Sequence, residues 1–389
     1  MPAYLGGFVM LGIGASMAGP ALSHLRDRMH TNDGGIAWVF FGTSVGYILG
    51  SMLSGRGLDR GRGHHRWVLA MAVATIGILL VAWAPDLPLL LGAFAVIGAA
   101  LGICDVSGNT LVMWSRPQGP GSLLNALHLC FAVGAMLSPL VVNRSLHYTH
   151  SVWGVAIPVG AIGLCCSVVM LRHPAPHRTR LETAARSAAS GARGAQVAVI
   201  CLFFFAYVAV ETGFAGWIHT YTEQIGYGGS GTATGMVTTF WVGFTLGRVA
   251  AIWLARMVSP GWMVAVAMVM SVITSALFLA FHGPGPMLWV VTFLFAVSVA
   301  PQYASMMAFA ESHLALSGRN TSMILASSGL GGLVLPWTIG QLFDSVGTKA
   351  MAPTIFVASA VAAGLGALAG RLLLAGQRPP VTSMNAPVT

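Results

Sequence analysis

The sequence predicts an all-α membrane protein of twelve transmembrane helices, arranged as two pseudo-symmetric six-helix bundles, and three observations predict it. The 389 residues are 56% hydrophobic and only 7% charged, with a mean hydropathy of +0.78. Soluble chains carry about a quarter charged residues, so lipid is the solvent this chain suits. Apolar runs long enough to cross a bilayer recur along the whole length. The second half of the chain also repeats features of the first at one constant offset.

About 20 apolar residues cross the hydrocarbon core as a helix. Runs of that size fall at 3–24, 35–55, 67–84, 87–113, 122–143 and 152–171, and again at 196–221, 232–254, 261–281, 287–310, 321–341 and 351–375. They are numbered spans 1 to 12 in chain order. The first run lacks a basic leader and a cleavage site, so it is read as a retained span. Four units follow: a bundle over 1–171, a basic Ala- and Ser-rich linker over 172–195, a second bundle over 196–376, and a tail over 377–389. Lys and Arg counting sets the orientation. With the N-terminus inside, fourteen basic residues face the cytoplasm and four (Arg26, Arg28, Arg144, Lys349) face out. Both termini are therefore expected in the cytoplasm. The expected location is a bacterial inner (plasma) membrane, and the expected state is a monomer.

The repeat is legible in four segments, all 197 residues apart. Val45-Gly46-Tyr47-Ile48-Leu49-Gly50 falls on Val242-Gly243-Phe244-Thr245-Leu246-Gly247, and Ala18-Gly19 falls on Ala215-Gly216. Gly134 and Pro139 fall on Gly331 and Pro336. Two parallel repeats related by an axis along the membrane normal place a solute site between them, near the midplane.

Composition also excludes function classes. The net charge of +9 is scattered between apolar runs, with none of the basic–aromatic interleaving of a nucleic-acid surface. Cys104, Cys130, Cys165, Cys166 and Cys201 lie inside apolar runs without metal or disulfide spacing, and read as small core residues. No nucleophile–base pair, metal cluster or phosphate loop is visible, so an enzyme is not expected. A sensor or scaffold would have lost the charges described next.

Burying a charge in lipid costs several kcal/mol unless it faces a cavity or a partner. Asp105 lies in span 4, with Asn109 one turn on and on the same face. His128 follows Asn125 in span 5, and Glu211 lies in the middle of span 7. Asp105 and Glu211 are candidate cation-coupling sites, Asp105 the chief one and Glu211 a second site or a sugar ligand: a cavity carboxylate takes a proton or ligates Na⁺ as the cavity switches sides. H⁺ and Na⁺ both stay open, Na⁺ at Asp105 is the one metal considered, and no other cofactor is expected. Asn109, Asn125, His128, Gln302, Trp217 and Trp241 are candidate solute contacts, since amides and rings suit neutral sugars. A satisfied core histidine is an equal reading of His128. Trp38, Trp67, Trp83, Trp153 and Trp262, near span ends, read as an interfacial belt. Adding the offset to Asp105 lands on Gln302, so the halves differ there by one charge.

The loop after span 2 reads Gly55-Arg56-Gly57-Leu58-Asp59-Arg60-Gly61-Arg62-Gly63. It resembles the signature loop of the major facilitator superfamily, G-x-x-x-D-R-x-G-R-R, through Gly55, Asp59 and Arg60, and departs from it afterwards. The resemblance implies a cytoplasmic latch that breaks as the halves rock. Arg248 and Glu311, toward the corresponding ends of spans 8 and 10, are expected to form its second-half counterpart.

The stretches Gly102-Ile103-Cys104-Asp105-Val106-Ser107-Gly108-Asn109 and Leu124-Asn125-Ala126-Leu127-His128 resemble the fucose:proton symporter family, and more closely its sodium-dependent glucose transporter branch. Glu211-Thr212-Gly213-Phe214-Ala215-Gly216-Trp217-Ile218 and Pro336-Trp337-Thr338-Ile339-Gly340-Gln341-Leu342-Phe343-Asp344 extend the likeness. The resemblance implies proton coupling at the span 4 carboxylate, matched by Asp105. The symporter's span 1 carboxylate has no counterpart, because Tyr4 to Leu22 holds no Asp or Glu. The expectation is cation-coupled uptake of a hexose-like sugar by alternating access. The alternative is a proton antiporter exporting drug-like or metabolic compounds.

Overall fold

A computed structural model describes residues 1–58, 63–115, 121–176, 194–314 and 318–375. Asp59, Arg60, most of the linker and the tail lie outside these residues, as does the side chain of Asn125. Among the described residues, twelve helices are long and apolar enough to cross a membrane. The first six are Pro2–Arg28, Asp33–Ser54, Gly63–Trp83, Leu87–Val112, Ala126–Thr149 and Trp153–Leu171. The second six are Gly194–Gln224, Ser230–Leu254, Pro260–Ala280, Pro286–Leu314, Met323–Val346 and Thr348–Ala375. The hydropathy runs located each of them. The chain is an integral membrane protein.

Spans 1 and 10 are each made of two helices. Span 1 divides between Pro2–Ser16 and Ala18–Arg28. Pro20 has no N–H for the carbonyl of Ser16, which ends the first helix there. Span 10 divides between Pro286–Val299 and Gln302–Leu314, just before and after Pro301. The helix breaks border the interior, where freed backbone groups find partners away from lipid.

Each half packs in the same way. Span 1 lies on span 5 as span 7 lies on span 11, and span 2 lies on span 4 as span 8 lies on span 10. The repeated glycines make this possible. A Cβ on Gly134 would stand 2.0 Å from the Val9 carbonyl oxygen, and one on Gly331 would stand 2.1 Å from that of Phe205. Only glycine allows these backbones to approach so closely. Between the halves, span 5 meets span 8 and span 2 meets span 11, contacts that the same twofold relation exchanges. On the axis itself, repeat mates touch: the hydroxyls of Ser23 and Thr220 are 3.3 Å apart.

The tryptophan expectation needs one correction. Trp83 and Trp262 are largely exposed and Trp38 and Trp153 partly so, as an interfacial belt requires, but Trp67 is fully buried. It stacks on Tyr4 at 5.1 Å and packs edge-on to Phe8. The turn of span 3 that carries it faces span 1 instead of lipid. Cys165 is likewise exposed, while Cys104 and Cys166 are buried in the core.

Candidate functional site

Between the halves lies a cavity of about 310 Å³. That is the lower end of the roughly 300–1,000 Å³ of small-molecule sites. Spans 1, 2, 4 and 5 of the first half and 7, 8, 10 and 11 of the second form its wall. Apolar and aromatic groups dominate, including Phe8, Phe40, Phe131 and Trp241. Four acidic or basic side chains interrupt them: Asp105 and His128 from the first half, and Glu211 and Arg248 from the second.

Asp105 is held tightly. Tyr47 Oη donates to its Oδ2 at 2.5 Å, and Asn109 Nδ2 donates to its Oδ1 at 2.9 Å. The same Asn109 nitrogen reaches the Asp105 backbone carbonyl at 2.9 Å. Asn109 is therefore placed as a partner of Asp105, and it is absent from the cavity wall. The i, i+4 spacing puts the two on one face, and Asn109 spends its amide on Asp105 there. His128 reaches the cavity and packs edge-on to Phe8 at 6.0 Å.

Glu211 sits differently. The Tyr207 hydroxyl, one turn earlier, approaches its carboxylate in a poorly aligned hydrogen bond. Arg248 lies within electrostatic reach of Glu211 and of His128. Its guanidinium rests over the buried Phe244 ring at 4.6 Å, a cation–π contact that fixes its direction. Arg248 thus belongs to the cavity wall, where the expectation had placed it in a surface latch. The span has turned it inward, since a guanidinium facing lipid would have no partner. Glu311 is exposed on the last turns of span 10. Tyr303, which the sequence reading passed over, lines the cavity and interacts with both Asp105 and Glu211.

Two further expected contacts are placed elsewhere. Trp217 is fully buried, and its Nε1 donates to the Pro336 carbonyl at 2.7 Å. Gln302 is 2% exposed, and its amide nitrogen donates to the Ala267 and Ser298 carbonyls at 3.3 and 3.2 Å. Its position beside the span 10 break explains this, because an amide there satisfies backbone oxygens that lipid cannot. Trp241 does line the cavity, edge-on to Phe131.

At the end of the molecule opposite the termini, the halves are tied together. Asp344 of span 11 accepts from the Asp33 and Gly34 backbone N–H groups at 3.0 and 2.6 Å, capping the start of span 2. A carboxylate complements the positive end of a helix. Asp33 also takes Arg26 at 2.9 Å and Gln224 at 2.6 Å, and Ser23 donates to Glu223 at 2.6 Å. The hydrogen bonds joining described residues of the two halves all lie at this end.

Two six-helix repeats enclosing a largely apolar central cavity that a few charged side chains interrupt, and tied together at one end, define a membrane transporter. The chain belongs to the Major Facilitator Superfamily, which it matches over residues 4–336. It is similar to the human sodium-dependent glucose transporter 1, at 25% identity over 375 residues, 86% of this chain and 72% of that one. Among solved structures it is similar to the fucose:proton symporter of E. coli, with a TM-score of 0.66 and 17% identity, covering 95% of this chain and 98% of that one. It is similar also to the E. coli xylose transporter in a partially occluded inward-open conformation, with a TM-score of 0.75 and 13% identity, covering 97% and 98%.

Proposed function

We infer that this transporter couples a cation, H⁺ or Na⁺, to the uptake of a hexose-like sugar. The observation that carries the reading is one carboxylate from each half, Asp105 and Glu211, facing the same central cavity. A carboxylate on an apolar wall is costly when ionised and unaccompanied. Loading it with a cation lowers that cost, and so favours rearrangement of the halves around an occupied site. The names of the relatives, which speak of glucose, fucose and xylose, support a sugar as the solute. With the termini in the cytoplasm, the tied end faces outward. The ties at Asp344, Asp33 and Glu223 then have to break for the solute to enter from outside.

The test is reconstitution in liposomes, with labelled hexose uptake measured under separate Na⁺ and pH gradients. Concentrative uptake under one of the two gradients, lost in Asp105→Asn, is the expected result. Uptake indifferent to both gradients sinks the coupling. Exchange of protons for lipophilic cations, with no hexose moved, favours the export alternative instead.

A further inference from the structure

Buried polar groups in folded proteins are almost always paired, and those that are not call for an explanation such as a ligand. One of them stands beside Glu211. The Nε of Arg248 is buried and lacks a hydrogen-bond partner, while the buried Tyr207 hydroxyl meets the Glu211 carboxylate in a poorly aligned contact. Arg248 and Glu211 stand on the cavity wall, and Tyr207, 1% exposed, lies behind them. The Phe244 ring under the guanidinium holds it in a fixed direction. Across the cavity the opposite holds, because both carboxylate oxygens of Asp105 already have protein donors.

The chemistry of a guanidinium with an unpaired N–H near a carboxylate that Tyr207 approaches is specific. Arginine offers only donors, and an ionised carboxylate only acceptors. One ligand must therefore present acceptor and donor atoms side by side. A carboxylate ligand satisfies Arg248 and is repelled by Glu211, while a cationic ligand meets the reverse conflict. Adjacent hydroxyls meet both demands: an oxygen lone pair takes the Arg248 N–H, and a neighbouring O–H donates to Glu211. We propose that Glu211 and Arg248 form the solute clamp of this cavity, binding a vicinal diol of a neutral polyol, with Tyr207 positioning Glu211 and Asp105 left to the coupling ion. This assignment rests on the sugar-transport reading above, and divides between two residues what that reading treats as a pair of equivalent carboxylates.

The test uses the full chain in detergent and measures binding of D-glucose and its monodeoxy analogues by isothermal titration calorimetry. Wild type is expected to lose about tenfold or more in affinity for analogues lacking one hydroxyl of a single adjacent pair. Arg248→Gln is expected to weaken D-glucose by a similar factor. It should discriminate little between D-glucose and those analogues, with the ion dependence of binding kept. Glu211→Gln serves as the second variant, and the analogue series in wild type needs no variant at all. Unchanged D-glucose affinity in Arg248→Gln, or an equal loss for every analogue, overturns the clamp and leaves sugar transport standing. A wild type that binds no hexose overturns both.

Discussion

Asp105 and Glu211 face one cavity from opposite halves, yet their surroundings differ in kind. Asp105 accepts from Tyr47 and Asn109, so its geometry is set before anything enters. Around Glu211 the corresponding groups hold it less firmly: Tyr207 meets it in a poorly aligned contact, and the Nε of Arg248 is unpaired. The repeat locates the origin of the difference. The mate of Tyr47 is Phe244, which lacks the hydroxyl and instead supports Arg248 with its ring. The mate of Asp105 is Gln302, whose amide is spent on backbone carbonyls. Each half thus keeps one carboxylate, at non-equivalent places in a symmetric scaffold. A pre-organised site suits a small ion that cannot bring its own geometry, and an unfilled one suits a larger polar solute.

Exchanging each carboxylate for its amide tests the contrast most severely. Asp105→Asn is expected to remove the ion dependence of solute affinity, a coupling of about 5–150-fold in typical linked systems. Ion-independent exchange of the solute across the membrane should survive it. Glu211→Gln is expected to do the reverse, weakening the solute while the residual flux still answers to the ion. Counterflow assays with and without a gradient separate the two, and identical phenotypes would erase the distinction. A milder version is Tyr47→Phe, which removes a charge-assisted hydrogen bond worth about 1.5–3 kcal/mol. With Na⁺ as the coupling ion, the Na⁺ concentration for half-activation should rise by about tenfold or more, with solute KM at saturating ion unmoved.

Changes outside the two sites should act on both together. Asp344→Asn weakens the cap on span 2 by about 1 kcal/mol, so the tied conformation loses roughly fivefold in population. Cross-linking between Ser23→Cys and Thr220→Cys, introduced on the axis, reads that population directly. The smallest effect on transport is expected at Trp217. Trp217→Phe should cost about 1 kcal/mol of stability through the lost bond to Pro336, visible as a lower Tm. Solute KM should stay within about twofold, as for substitutions away from a binding surface. A larger KM change would return Trp217 to the list of solute contacts.

The twelve spans, the repeat and the presence of Asp105 and Glu211 inside the membrane are legible in the order of residues alone. Hydropathy is a local property, the offset is a comparison of letters, and a carboxylate amid apolar residues is conspicuous at any resolution. Tyr207 was within reach too, being one turn from Glu211 on the same face. Which polar groups look into the cavity was decided only by the tertiary structure. In water a helix advertises its buried face by the polar stripe opposite, but in lipid both faces are apolar and the stripe disappears. So Trp67 was read as belt and proved to be core, Gln302 and Trp217 were read as wall and proved to be spent on backbone carbonyls, and Arg248 turned inward from an expected latch. The rotation of each helix about its own axis, set by glycine contacts and helix breaks far apart in the chain, made those choices.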